Sequence, residues 1–308
     1  MKAHQKGQLE RFFRGTLLYE TPLRDFLSFK VGGPADVVAF PADVEDLISL
    51  VHFLREQEAP FFVLGEGTNL LVRDGGYRGV VIRLLAESAT IEIEREAENT
   101  VYVRAHAGER LSRLLEFSLD KSLSGLEFAV GIPGSVGGAL FMNAGAYGGE
   151  IKDVTFSVRI LTADGTLEDV PQTVLRFSYR KLEIPPHAII VEALFGLQKG
   201  IEEEVRAIVA ERFTRRRQSQ PWGFPNAGSV FKNPPGYHAA QLIEDVGLKG
   251  CQIGGAAVSS RHANFIVNQG SASARDILDL ISHIQDTVWE KKGIQLEPEI
   301  HIVGEDGT

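Results

Sequence analysis

Glycines stand at 131, 134, 137 and 138 in GIPGSVGG, and Asn143, Gly145, Tyr147, Gly148 and Gly149 follow closely. Without a Cβ, such residues let a ligand reach the backbone, and turns built from them can aim successive N–H groups at a phosphate. The same spacing would also let a helix lie tightly against another element, and the residues alone leave both readings open. Pro133 occupies the second glycine position of the dinucleotide fingerprint G-x-G-x-x-G, so this is not that motif. A second turn, GEGTNLLV at 65–72, fails the same test at Leu70. Its Thr68 hydroxyl and Asn69 amide could meet a ligand or cap their own loop. An elongated cofactor could use both turns.

Arg180 follows the alternating run FSY and is either a functional guanidinium or a surface arginine paired with Glu183. Ser229, among Pro225, Asn226 and Gly228, is either a functional hydroxyl or one serving its own turn. G-x-S-x-G is absent around it, which removes the usual nucleophile elbow. Glu299 alternates with Glu297 and the apolar Ile300 in LEPEIHIV, so either one carboxylate of the pair faces inward or across a sheet, or it is a plain edge charge. Arg212, Arg215, Arg216 and Arg217, with Lys232 beyond, form one basic run, either a solvated helix end or a fork of donors for a pyrophosphate or carboxylate. His187, His238 and His262 are too dispersed to suggest a metal, H-E-x-x-H is missing, and Cys251 reads as a small buried hydrophobe.

These residues need a scaffold. At 308 residues with 44% apolar and 24% charged side chains, the chain can bury a core without disulfides or structural metals. Its single cysteine excludes an intrachain disulfide and points to a reducing compartment. A net charge of −9 argues against general nucleic-acid binding while leaving room for a local anion pocket. The start MKAHQKGQLERFF is basic and amphipathic without an apolar signal core, so neither secretion nor membrane insertion is expected.

Periodicity gives a helix from Val44 on Leu47, Leu50, Val51 and Leu54, followed by the strands PFFVLG and GVVIRL. Strands follow at 90–94 and 100–105, then a helix from Arg110 to about Leu119, a hairpin turning at Asp164–Gly165, and an apolar strand from Ala188 to Leu197. Lys199–Gly200 precede a helix with acids first and arginines last, an order the helix dipole favours, and Pro221 stops it. Short strands at 253–258 and 264–267, a helix from Ser273 to about Lys292 and the strand LEPEIHIVG complete the pattern. The expected domains are 1–85, 86–198 and 199–308.

The segments FKVGGPA (29–35), LGEGTNLLV (64–72), GIPGSVGGALFMNAGAYGGEI (131–151), FSYRKL (177–182), PNAGSVFKNP (225–234), RHANFIVN (261–268) and LEPEI (296–300) occur in this order. Together they resemble the UDP-N-acetylenolpyruvoylglucosamine reductase family, flavoenzymes of bacterial wall synthesis. The resemblance implies an α+β fold: a two-domain FAD-binding module of the vanillyl-alcohol-oxidase-like type, with a C-terminal α/β substrate domain. It implies FAD, NADPH as hydride donor, and reduction of UDP-N-acetylenolpyruvoylglucosamine to UDP-N-acetylmuramate in the cytoplasm, without a nucleic-acid, membrane or obligate protein partner.

Catalysis is implied for Arg180, Ser229 and Glu299. FAD contacts are implied for Gly65, Gly67, Thr68, Asn69, Gly131, Gly134, Ser135, Gly137, Asn143 and Gly145, and substrate contacts for Tyr179, Arg217, Lys232 and Asn233. The family has a branch with an inserted, tyrosine-bearing loop. The short passage from Arg180 to the third domain places this chain in the other branch. Two readings stand beside this one: another FAD oxidase or dehydrogenase of small hydroxy compounds, and a noncatalytic nucleotide-sugar-binding module.

Overall fold

The computed structural model describes residues 1–84 and 90–307. It divides into two compact units, each drawn from three stretches of chain: 1–18, 37–66 and 80–215 in the first, 19–36, 67–79 and 216–308 in the second. Three consecutive domains are expected from sequence, so the division differs. The chain passes between units inside the strands Thr16–Pro22, Pro34–Phe40 and Tyr77–Ile82 and again within the helix Glu202–Ser219, where no composition break marks the crossing. The expected boundary at 85/86 falls outside the described residues. Lys199–Gly200 mark only the end of the strand Ile189–Lys199.

The first unit is built on an antiparallel sheet ordered Leu167–Pro171, Thr155–Leu161, Ile189–Lys199, Thr100–His106 and Ile91–Ala97, with Leu123–Ser124 also pairing Ile189–Lys199. Alternation sets its faces. Val101, Val103 and Ala105 point inward and pack in one core with Leu111, Leu114 and Leu115 of the helix Leu111–Asp120 and with Val136 and Leu140 of the helix Val136–Phe141. In the helix Val44–Glu56, Asp43 caps the start, its carboxylate accepting the Asp46 N–H.

In the second unit the helix Ala274–Lys292 lays Ile277, Leu280, Ile281, Ile284 and Val288 against Ala256, Val258 and Ile266 of a three-stranded antiparallel sheet. Ser273 and Asp276 cap this helix reciprocally, each at 3.0 Å, and Asp74 accepts the Ala274 and Arg275 N–H groups at 2.9 Å. A parallel pair, Leu70–Val72 with His301–Val303, joins segments far apart in sequence. Gly33 lies close to this joint: a Cβ there would meet the Asp74 carbonyl oxygen at 2.2 Å. The expected strand over LEPEIHIVG shrinks to His301–Val303, because residues 297–299 meet another loop through an isolated bridge, Phe231 with Pro298. The helices Ala3–Phe12 and Ala239–Asp245 are additions to the sequence reading.

Candidate functional site

In the first unit the two glycine turns meet. A Cβ on Gly65 would lie 2.5 Å from the Ser135 hydroxyl oxygen, so any larger residue would have to displace that hydroxyl from its present position. Gly131 (φ 68°) and Gly134 (φ 134°) have backbone conformations that L side chains rarely adopt, and both are half-exposed. Ser135 is buried and caps the helix Val136–Phe141 by accepting the Gly138 N–H at 3.1 Å.

Gly137 also has a packing reason to lack a Cβ, beside the expected cofactor contact. A Cβ there would be 2.9 Å from the Ala107 Cβ and 3.2 Å from the Ala107 carbonyl oxygen. Charge gathers beside the turns: Glu66 lies 3.5 Å from Arg83 and 3.7 Å from Arg110. Burial pulls the Arg83 guanidinium below its ordinary value, with Glu66 opposing and Arg110 assisting. Neither arginine stands out in the sequence; the available signals were the end of the strand Tyr77–Ile82 for Arg83 and the start of the helix Leu111–Asp120 for Arg110.

Asn143 is wholly buried at φ 41°. Its amide donates to Glu150 Oε2 at 3.1 Å and to the Ser178 carbonyl at 3.0 Å, and its Oδ1 accepts the Lys152 N–H at 3.3 Å. The side chain thus ties the glycine segment to the hairpin Arg176–Ser178/Lys181–Glu183. Gly145 begins another tight hairpin, Gly145–Ala146 with Gly149–Glu150, where a Cβ would come within 2.6 Å of the Gly149 carbonyl oxygen. Its turn residues Tyr147 and Gly148 both have positive φ, as a two-residue hairpin loop demands.

Arg180 occupies the other two-residue turn, with Tyr179, at φ 58°. A left-handed arginine is strained, a condition found where a side chain must be aimed. The guanidinium donates to the Gly145 carbonyl at 3.3 Å and lies 4.9 Å from the centre of the exposed Tyr179 ring. The partner suggested by sequence, Glu183, lies 3.7 Å from Lys181. Burial raises the Glu150 carboxyl, but hydrogen bonds from Lys152 and Asn143 and the charges of Lys152 and Arg180 outweigh it and hold the group below its ordinary value.

The second unit brings Ser229 and Glu299 to one place through main-chain pairing. The Glu299 N–H donates to the Val230 carbonyl at 2.7 Å and the Lys232 N–H to the Glu297 carbonyl at 2.9 Å, flanking the Phe231–Pro298 bridge. The turn before Ser229 is closed by Asn226, whose Oδ1 accepts the Gly228 N–H at 3.0 Å, so it does not draw on the serine hydroxyl. Asn69 bonds away from its own loop: its amide donates to the Glu299 carbonyl at 3.1 Å, and its own carbonyl accepts the His301 N–H at 3.0 Å. Gly67 (φ 64°) packs where a Cβ would meet the Phe26 carbonyl oxygen at 2.3 Å; Thr68 follows it, half-buried.

Lys232 forms an ion pair with Glu297, and Asn233 accepts the Ala239 N–H at 2.9 Å, capping the helix Ala239–Asp245. Arg217 is exposed near the end of the long helix, and Arg261 donates to the carbonyls of Arg217 and Gln220 at 3.2 and 3.4 Å. Arg261 is another residue that sequence reading passes over. Among the described residues, no cluster of His, Cys, Asp or Glu could hold a metal ion, and no helix is long and apolar enough to cross a membrane.

Touching glycine turns with half-exposed backbone at 131 and 134, and two arginines beside them, suit the pyrophosphate of a dinucleotide such as FAD. A profile described as an FAD binding domain matches residues 35–171, and one described as the C-terminal domain of UDP-N-acetylenolpyruvoylglucosamine reductase matches 220–303. The UDP-N-acetylenolpyruvoylglucosamine reductase of Syntrophus aciditrophicus (strain SB) is 46% identical over 302 residues, 98% of this chain and 96% of that protein. That of Enterococcus faecalis (strain ATCC 700802 / V583) is 45% identical over 98% and 99%. The crystal structure of the Thermus caldophilus reductase superposes with a TM-score of 0.80 at 37% identity, covering 94% of this chain and 99% of that one. Glycine turns, serine loop and carboxylate loop thus lie on a chain that aligns end to end with these reductases, and it belongs to the UDP-N-acetylenolpyruvoylglucosamine reductase family.

Proposed function

We propose that the protein reduces UDP-N-acetylenolpyruvoylglucosamine to UDP-N-acetylmuramate in peptidoglycan precursor synthesis, with NADPH as electron source, and that it works in the cytoplasm. The carrying observation is the main-chain pairing of Val230 with Glu299, which seats a hydroxyl and a carboxylate on adjoining loops. FAD, when bound, supplies the relay of two electrons from NADPH to the terminal vinyl carbon of the substrate as a hydride. Its proposed contacts in the first unit are Gly65, Gly131, Gly134 and Ser135.

The chain's own work is to manage the charge that hydride addition creates. Arg180 binds the substrate carboxylate and stabilises negative charge delocalised into it. The Ser229 hydroxyl delivers the proton to the α-carbon. A serine is a poor acid in water, so its use depends on a fixed position beside the developing carbanion. Glu299 orients the donor network. Tyr179, Arg217, Lys232 and Asn233 hold the nucleotide sugar, the arginine and lysine meeting its diphosphate.

Anaerobic stopped-flow of the flavin-loaded protein tests the whole reading. NADPH should bleach the flavin band, and the enolpyruvyl sugar should restore it with formation of the muramate product. A protein that purifies without flavin would favour a nucleotide-sugar-binding module. Reduced protein that is reoxidised by oxygen but not by the enolpyruvyl sugar would favour a different flavoenzyme.

A further inference from the structure

Residues 230–232 lie between two backbones, and only one of them is the pairing with 297–299. In an antiparallel arrangement successive residues turn their polar groups to opposite sides. The Val230 carbonyl and Lys232 N–H face residues 299 and 297, which turns both polar groups of Phe231 the other way. Phe231 is 1% exposed, so those groups have no water to meet. A single side chain answers both. The Asn264 amide donates to the Phe231 carbonyl at 2.8 Å, and its Oδ1 accepts the Phe231 N–H at 3.0 Å. The Asn264 main-chain carbonyl accepts the Val230 N–H at 2.8 Å. Asn264 is itself 4% exposed. One buried asparagine thus takes the part of a missing strand, with one donor and one acceptor at the spacing of a peptide group.

Ser229 is the next residue along, and Glu299 is held through Val230. We infer that Asn264 is the positioning residue of the serine loop: by fixing Val230 and Phe231 it sets where the Ser229 hydroxyl stands relative to the substrate's α-carbon. This rests on Ser229 being the proton donor. Asparagine is the chemistry required here. Leucine has its size but neither polar group, and an ionised aspartate keeps the acceptor while turning a charge toward the Phe231 carbonyl. A protonated aspartic acid, in contrast, again offers one donor and one acceptor.

That difference supplies the test, on the flavin-loaded protein with Asn264→Asp. Burial should raise the introduced carboxyl into the range of ordinary buffers. Near pH 8, reoxidation of NADPH-reduced flavin by the enolpyruvyl sugar should be slower than in the parent by ~10-fold to ~100-fold, because misplacement by about an ångström is enough for that. Near pH 6 the rate should return toward the parent's, while flavin reduction by NADPH matches the parent at both pH values. Deuterium uptake over residues 228–233, read by mass spectrometry, should exceed the parent's near pH 8 and approach it near pH 6.

Equal slowing of both half-reactions at both pH values, or no slowing at all, would overturn the inference. Ser229→Ala, run in parallel, separates the two ways to fail. If it reoxidises at the parent rate, the proton-donor reading is wrong and the inference falls with it. If it is slow while Asn264→Asp is not, the serine reading stands and Asn264 is not its positioning residue.

Discussion

The glycine-rich segment 131–150 and the loop 226–233 hold their candidate residues by different means. In the first, a hairpin and an Asn143–Glu150 bond within the segment work together with contacts to residues 107 and 178. Gly137 packs on Ala107, Asn143 braces Glu150 and Ser178, and a turn at Tyr147–Gly148 closes a hairpin only two residues long on each side. In the second, nothing local fixes Ser229 beyond one Asn226 turn, and its position comes from residues 264 and 297–299. The first is a rigid cradle that a motif can announce. The second is a loop clamped from both sides by distant chain, and a motif that names the serine says nothing about the clamp.

Removing the serine hydroxyl should have the largest effect. Ser229→Ala should reduce flavin with NADPH at the parent rate and slow reoxidation by the enolpyruvyl sugar by ~10² or more, about 2.7 kcal/mol of barrier. Transient absorbance reads both steps. Parent-like reoxidation would move proton delivery to Glu299 or to water.

Arg217→Ala comes next. Loss of one charge-assisted contact should weaken nucleotide-sugar binding by about 2 kcal/mol, read as a raised Michaelis constant for that substrate with flavin reduction by NADPH little changed. Equal damage to both half-reactions would place the side chain in the fold, or on a surface NADPH also uses.

Gly137→Val probes the cradle. Because its Cβ would crowd Ala107, thermal stability and flavin content should fall together, by about 1–2 kcal/mol of stability. Flavin lost from a protein with an unchanged melting temperature would return Gly137 to the ligand side of the turn.

The smallest effect is at the helix cap of the second unit. The Ser273 and Gly255 N–H groups, with the Ser273 hydroxyl, hold the Asp276 carboxyl below its ordinary value against a raising contribution from burial. A lowered folded-state value means the stabilisation is fully present above the unfolded value near 3.9 and is lost as pH falls through the folded one. Asp276→Asn should therefore cost about 1 kcal/mol at neutral pH, and the gap to the parent should close in acid. A gap independent of pH in denaturant titrations would assign the cost to shape rather than charge.

Much of this was legible in sequence. Apolar spacing marks the helices Val44–Glu56, Leu111–Asp120 and Ala274–Lys292, and alternation marks Thr100–His106, because each buries one face against a core and periodicity records that face. Glycines at 65 and 131–137 announce tight approach without saying whether a ligand or Ala107 is the neighbour. What could not be read depends on pairings across long separations. LEPEI looks like a strand but serves as one side of an isolated bridge, Asn69 looks like a local cap but holds Glu299, and Asn264 looks like any polar residue in an apolar run.

The parallel pairing of Leu70–Val72 with His301–Val303 also bears on how the molecule is made. At typical synthesis rates of ~5–20 residues per second, the stretch around residue 70 leaves the ribosome roughly ten to fifty seconds before its partner strand exists. For that interval residues 67–79 must wait with Leu71 and Val72, both destined for full burial, uncovered. The antiparallel sheet of the first unit needs no such delay, since its strands lie within residues 91–199. The second unit is therefore the late-completing half and the one exposed to chaperones and proteases, and a nascent chain interrupted before residue 297 would carry a finished cradle and a serine loop still lacking one side of its clamp.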